Sequence, residues 1–144
     1  MPGDLDTIVA GRLERVGQRY TPVRKTVVEV LAAAARPLTL PEILDSAAGL
    51  AQSSAYRTLA VMEEAGVVRR IAGPTGFARY ELAEDVTEHH HHLVCVSCGG
   101  VEDLAASTRV ERTVARAVDE AAATMGFRSQ GHRLDVVGLC ARCH

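Results

Sequence analysis

Every cysteine and histidine of the chain lies beyond Glu88: the run His89, His90, His91, His92, then Cys95-Val96-Ser97-Cys98, then His132, and finally Cys140-Ala141-Arg142-Cys143 before His144. Thiolates and neutral imidazoles are the donors that zinc and its first-row neighbours prefer, so the second half reads as a metal-binding module. Cys95, Cys98, Cys140 and Cys143 suffice for a closed tetrahedral shell with Zn–S bonds of about 2.3 Å, which leaves no position for a substrate and points to structure rather than catalysis. Residues 99–139 separate the two pairs, room enough for strand and helix, so the ion would staple the last residues of the chain to the start of the module. A lone Cys-x-x-Cys would leave thiol redox chemistry open; two of them favour a metal.

If the histidine run enters a strand, alternation sends His89 and His91 to one face and His90 and His92 to the other, and one run feeds two sites. A flexible polar loop is the other reading of such a run. His132 taken alone fits a structural role as well as ligation, and His144 carries no assignment. A zinc hydrolase or deaminase needs an open metal position beside a general base, and the His-x-Glu of zinc deaminases is absent, so no enzyme is expected.

These donors need elements to position them. Leu5, Ile8, Val9, Leu13 and Val16 recur at helical spacing and stop at Gly17, which predicts a first helix. Thr21-Pro22 reads as an N-cap followed by proline, with Val23, Val27, Val30, Leu31 and Ala34 as the apolar stripe of a second helix ending before Arg36-Pro37. Thr39-Leu40-Pro41-Glu42 has capping-box spacing and opens a short third helix toward Gly49. Ser53 or Ser54 is expected to cap a fourth, with Ala55, Leu59 and Met62 inward and Gly66 as its stop. Val67-Val68-Arg69-Arg70-Ile71, a Gly73-Pro74-Thr75-Gly76 turn and residues 77–82 then read as a hairpin.

Helices followed by a basic hairpin make a winged helix-turn-helix over residues 1–84, and the fourth helix would present Ser54, Tyr56, Arg57 and Thr58 to a major groove. A helical hairpin that only builds a core is the alternative. Residues 85–88, within a polar, acidic stretch, form the expected hinge. Residues 89–144 carry strands near 91–96, 101–104 and 133–137 and a helix over 108–125, a small α/β module. The fold class is thus α+β.

The chain has 144 residues, 47% hydrophobic but only 3% aromatic, so its cores are aliphatic and base stacking is not a major contact. A net charge of -2 excludes a polycation that coats nucleic acid or lipid, and across residues 1–84 ten basic side chains balance ten acidic ones. Any DNA-binding face must therefore be local. Met1-Pro2-Gly3-Asp4-Leu5-Asp6 has no basic region leading into an apolar stretch, and no membrane-spanning run follows, so a cytoplasmic protein without membrane partners is expected. In a reducing compartment the cysteine pairs hold metal rather than form a disulfide framework. A metal-buffering protein would use only the second half and leave the basic winged helix unexplained.

Ser54-Ala55-Tyr56-Arg57-Thr58-Leu59, the run His89-His90-His91-His92-Leu93, Cys95-x-x-Cys98-Gly99 and His132-x-Leu134 leading to Cys140-x-x-Cys143, in that order, resemble the ferric uptake regulator superfamily over nearly the whole chain. The resemblance implies a homodimeric, metal-activated repressor that binds palindromic operator DNA and controls metal homeostasis. It also implies structural zinc on the four cysteines, a sensing site of Glu81, His90 and His92 at the hinge, and a second site of His89, His91, Glu111 and His132. Asp103 matches an additional carboxylate ligand of some members, though it could equally be a surface charge. Arg19, Tyr56 and Arg57 correspond to DNA-contacting positions. Zinc is the first candidate for the regulatory ion, with iron(II), manganese or nickel, or a peroxide-responsive member, as alternatives. Iron and peroxide sensors of the family place an imidazole where this chain has Arg36-Pro37-Leu38, and zinc sensors use a wing aspartate where it has Arg69 and a hinge cysteine that it lacks. The hinge site is therefore expected to be completed by Glu84, Asp85 or water, or to be weaker, or to take a different ion.

Overall fold

The computed structural model describes residues 2–72 and 76–144. Helix α1 (Pro2–Arg15) buries Val9 and Leu13, and α2 (Pro22–Ala33) buries Val27, Val28 and Leu31. Thr21 caps α2 by accepting the Arg24 N–H, with proline pre-set for the first turn. Thr39 caps α3 (Leu40–Ser46) in the same way through the Glu42 N–H. The Glu42 carboxylate does not return to the cap backbone; it accepts from the Thr39 hydroxyl and pairs with Arg36 and Arg79, so only half of the capping box forms.

Helix α4 (Gln52–Glu64) has its N-cap two or three residues earlier than expected, at Ala51, which offers no side-chain cap. Ser53 and Ser54 fall inside its first turn, so the serine cap does not form. Gly66, at φ +74°, takes the left-handed turn that ends the helix and that a side chain would oppose. The wing follows as β2 (Val68–Ala72) and β3 (Ala78–Leu82), antiparallel with Arg69 opposite Glu81. The expected tight turn falls on residues 73–75, outside the described residues. A third strand absent from the sequence reading, β1 (Leu38–Thr39), pairs with β3 and gives a sheet of order β1-β3-β2.

A 3-10 turn (Glu84–Val86) then leads to β4 (His91–Cys95), β5 (Val101–Leu104), α5 (Thr108–Thr124) and β6 (Asp135–Gly138). These strands form a second sheet in the order β5-β4-β6, antiparallel to β5 and parallel to β6. Arg12 reaches the expected hinge: its guanidinium donates to both Asp85 carboxylate oxygens (3.0 and 2.7 Å) and to the Gly66 carbonyl at the end of α4 (2.7 Å).

The two halves are built differently. One aliphatic cluster, from Val9 and Leu13 through Leu59 and Met62 to Tyr80 and Leu82, forms the core of the first half. In the second, the buried hydrophobic side chains among the described residues are Cys95 and Val101, joined by buried His91 and His92. Helix α5 carries an apolar stripe of Val110, Val114, Val118 and Ala121, continued by Met125 at its C-cap, but buries no residue, and all four residues of β6 are exposed. Among the described residues no helix is long and apolar enough to cross a membrane.

Candidate metal centres

Three groups of four donors converge among the described residues, each with its ligand atoms within 4.8 Å of one another. The first sits where the wing meets the second sheet. Tyr80 and Leu82 of β3 point into the core, so alternation turns Arg79 and Glu81 outward, toward β4. Glu81 Oε2 lies 2.9 Å from His90 Nε2 and 3.0 Å from His92 Nε2. Its other oxygen accepts Nε (3.2 Å) and Nη2 (2.5 Å) of Arg69 across the hairpin. Asp103, opposite His92 on β5, brings Oδ1 to 3.7 and 3.9 Å from the same two Nε2 atoms.

That Asp103 oxygen is buried without a hydrogen-bond partner. Donors about 2.0–2.2 Å from one tetrahedral ion stand roughly 3.3–3.6 Å apart, which the observed spacings bracket. His90 Nδ1 donates to the Glu88 carbonyl (3.0 Å) and His92 Nδ1 faces Asp135 Oδ1 (3.6 Å). Such outer contacts fix the rings and leave each Nε2 for the centre. Burial alone would raise Glu81, but hydrogen bonds from His92, His90 and Arg69 hold it at about 2. Burial would lower His90, yet the Glu88 carbonyl and the Glu81 carboxylate raise it, while burial raises Asp103. The residues fit a divalent cation.

The other face of β4 feeds the second group. Glu111, in the first turn of α5 behind the Ser107 cap, places Oε2 2.6 Å from His91 Nε2 and Oε1 2.9 and 2.8 Å from the Nε2 atoms of His89 and His132. Its carboxyl lies below the usual range, first because of the His91 hydrogen bond. Glu84 closes on His89 Nδ1 at 2.5 Å. Three imidazoles around one carboxylate again suit a first-row ion.

The four cysteines are free thiols. Cys98 Sγ and Cys140 Sγ are 3.8 Å apart, the spacing of about 3.8 Å that a tetrahedral zinc with 2.3 Å bonds sets between sulfurs. Backbone N–H groups of Cys98 and Cys140 directed at Cys95 lower its thiol to about 6. The Ser97 hydroxyl alone would lower Cys143, but the neighbouring sulfurs push it up to about 11. Four sulfurs this close ionise together only around a cation.

The sequence-derived groupings therefore come together in space, and Asp103 joins the hinge group. Glu84 and Asp85 do not complete that group: Glu84 reaches His89 and Asp85 reaches Arg12. Two of the three departures from the family pattern have structural occupants. Arg36 pairs with Glu42 and Leu38 packs in β1, while Arg69 holds Glu81. On α4, Tyr56 (54% exposed) and Arg57 face outward and Ser54 is half-buried. Thr58 is corrected: at 6% exposure it packs on the core side of α4, since it neighbours Leu59 and lies one turn from Ala55 and Met62. Arg19 is exposed in the loop after α1. Arg79 went unread as a site residue, and Glu84 was expected at the hinge group rather than beside His89, because only the folded register brings them to the clusters; Arg69 could have been paired with Glu81 by counting the hairpin outward from its turn.

The sequence pattern of the ferric uptake regulator family matches residues 15–137. The chain belongs to the ferric uptake regulator family. It is 33% identical over 101 residues to the ferric uptake regulation protein of Legionella pneumophila, covering 70% of this chain and 69% of that one. It is 28% identical to the peroxide operon regulator of Bacillus subtilis over 137 residues, 91% of this chain and 88% of that one. The crystal structure of the Vibrio cholerae ferric uptake regulator superimposes with a TM-score of 0.70 at 26% identity, covering 89% of this chain and 96% of that one. The ferric uptake regulator family is one of transcription regulators, not enzymes, and the α+β order of winged helix before dimerisation domain is its fold.

Proposed function

We propose that the chain is a homodimeric, metal-responsive repressor of operator DNA that controls metal homeostasis. The observation that carries this reading is the hinge cluster, whose donors come from both halves: Glu81 from the wing, His90, His92 and Asp103 from the second sheet. A divalent cation held there would supply the charge that binds wing to dimerisation module. Arg69 keeps one Glu81 oxygen occupied, so the other is presented to both histidines. The uncovered stripe of α5 and the exposed β6 support a second copy as partner. Tyr56, Arg57 and Ser54 of α4, with Arg19, then meet DNA from each protomer, at half-sites about 34 Å apart on a palindrome.

The cysteines hold structural zinc, and His89, His91, Glu111 and His132 hold a second ion. Zinc is the first regulatory ion to test, because histidine and carboxylate sets at both clusters suit it; iron(II), manganese and nickel use the same donors. Named relatives include both iron and peroxide regulators. Switching from 1:99 to 99:1 takes about 5.5 kcal/mol of differential affinity. The test is binding of the protein's own promoter fragment with and without each metal, for the wild type and a His90→Ala/His92→Ala variant. The variant is expected to stay a folded dimer and lose the metal response; an undiminished response removes the hinge cluster from sensing.

A further inference from the structure

We infer that Arg79 is a positioning residue that couples the four-cysteine knuckle to the hinge cluster, by fastening β3 to the knuckle so that Glu81, two residues on, is held within reach of His90 and His92. The inference rests on the reading of Glu81, His90 and His92 as metal donors.

Arg79 lies on the outward face of β3, beside Glu81, yet its side chain is only 11% exposed. Its Nη2 donates to the Gly99 carbonyl at 3.0 Å and its Nη1 faces Glu42 of α3 at 3.4 Å. Nε is buried without a partner, so the guanidinium depends on those two acceptors. Gly99 follows Cys98 directly, and its carbonyl direction is set by the knuckle itself. Gly99 sits at φ +72°, its N–H donates to the Cys95 carbonyl (3.0 Å), and the Cys95 N–H donates to the Gly100 carbonyl (2.9 Å). A side chain at Gly100 would stand 3.3 Å from Cys98 Sγ, so the turn closes tightly on the sulfur.

The outer face of β3 therefore carries two fasteners to the second half, Arg79 on the cysteine knuckle and Glu81 on the histidines. Loss of the Gly99 acceptor would strand a buried guanidinium, which is costly for a charged donor. Opening of the knuckle thus removes one of the two fasteners and loosens β3 against β4. By thermodynamic reciprocity, filling either cluster favours the other.

The experiment uses full-length dimer with zinc on the cysteines, verified by metal analysis, titrated with cobalt(II). The hinge cluster is read from the visible band that His90→Ala abolishes, the second cluster from the band that His132→Ala abolishes. Arg79→Met is expected to weaken cobalt at the hinge cluster about tenfold, the effect of losing one hydrogen bond to a charged group, while the second cluster, with no ligand on β3, keeps its affinity. Arg79→Lys should fall between, and Arg36→Met, which removes the other guanidinium on Glu42, should match the wild type. Wild-type hinge affinity in a zinc-loaded Arg79→Met protein, or equal weakening of both clusters, overturns the coupling. Should Arg79→Met not fold, Arg79→Lys decides alone, and wild-type hinge affinity there overturns it. A wild-type protein without a His90-dependent band would instead overturn the reading of the hinge donors.

Discussion

Glu81 is one of the side chains on which the two halves meet, and its chemistry is set by three neighbours. Arg69 engages one oxygen and the paired imidazoles the other, so the carboxylate stays ionised although it is buried. That arrangement, together with the Glu88 carbonyl, raises the affinity of His90 for a proton. Ligation requires a neutral imidazole, so binding at the hinge displaces that proton. The sign follows: affinity rises with pH while His90 titrates, by about tenfold per pH unit for one proton. Titrations across neutral pH should show affinity climbing with pH; a flat profile would mean that His90 gives up no proton to the ion.

At the scale of elements, the contrast between α4 and α5 is instructive. Helix α4 is set by its core face, Ala55, Thr58, Leu59 and Met62, and tolerates a start at Ala51 with no capping side chain. Ala51→Ser should stabilise the protein by about 0.5–1 kcal/mol in urea denaturation, because it supplies the missing acceptor. An unchanged midpoint would place the first-turn N–H groups with water. Helix α5 has its apolar stripe but nothing buried on it. A surface with Val110 50% and Met125 84% exposed calls for a partner helix or sheet. Val118→Asp should therefore convert the dimer to monomer in sedimentation at micromolar concentration, and a persistent dimer would move the interface off this helix.

For the whole molecule, stability is divided unequally. The hydrophobic cluster and its packed neighbours reach no further than Val86, so the first half has its own source of cohesion. Among the described residues the second half buries little beyond Cys95, Val101, His91 and His92, so on the proposed reading its cohesion comes from metal at the cysteine and histidine clusters and from a partner. Cys95→Ser should lose the zinc and unfold residues 89–144 while the winged helix stays folded. Limited proteolysis is the check: protection should persist over residues 1–84 and vanish beyond, and uniform protection would show that the second half stands without its metal.

How far the sequence reaches depends on the range of the interaction that carries each feature. Periodicity, caps and terminating glycines act over a few residues, so the helices, the wing and the module's strands were legible, as was the splitting of four consecutive histidines between two faces of one strand. The cysteine spacing named its own chemistry, since few arrangements but a metal gather four thiols. Where local signals were ambiguous, packing decided: a serine cap gave way to Ala51 because the core face of α4 fixed its register, and Thr58 turned inward with it. The pairing of β1 with β3, the turn of Asp103 toward the hinge histidines, the capture of Asp85 by Arg12 and the reach of Arg79 to Gly99 all join residues far apart in the chain. Those contacts only the tertiary structure settled, because a carboxylate or guanidinium carries no local mark of the partner that folding will bring to it.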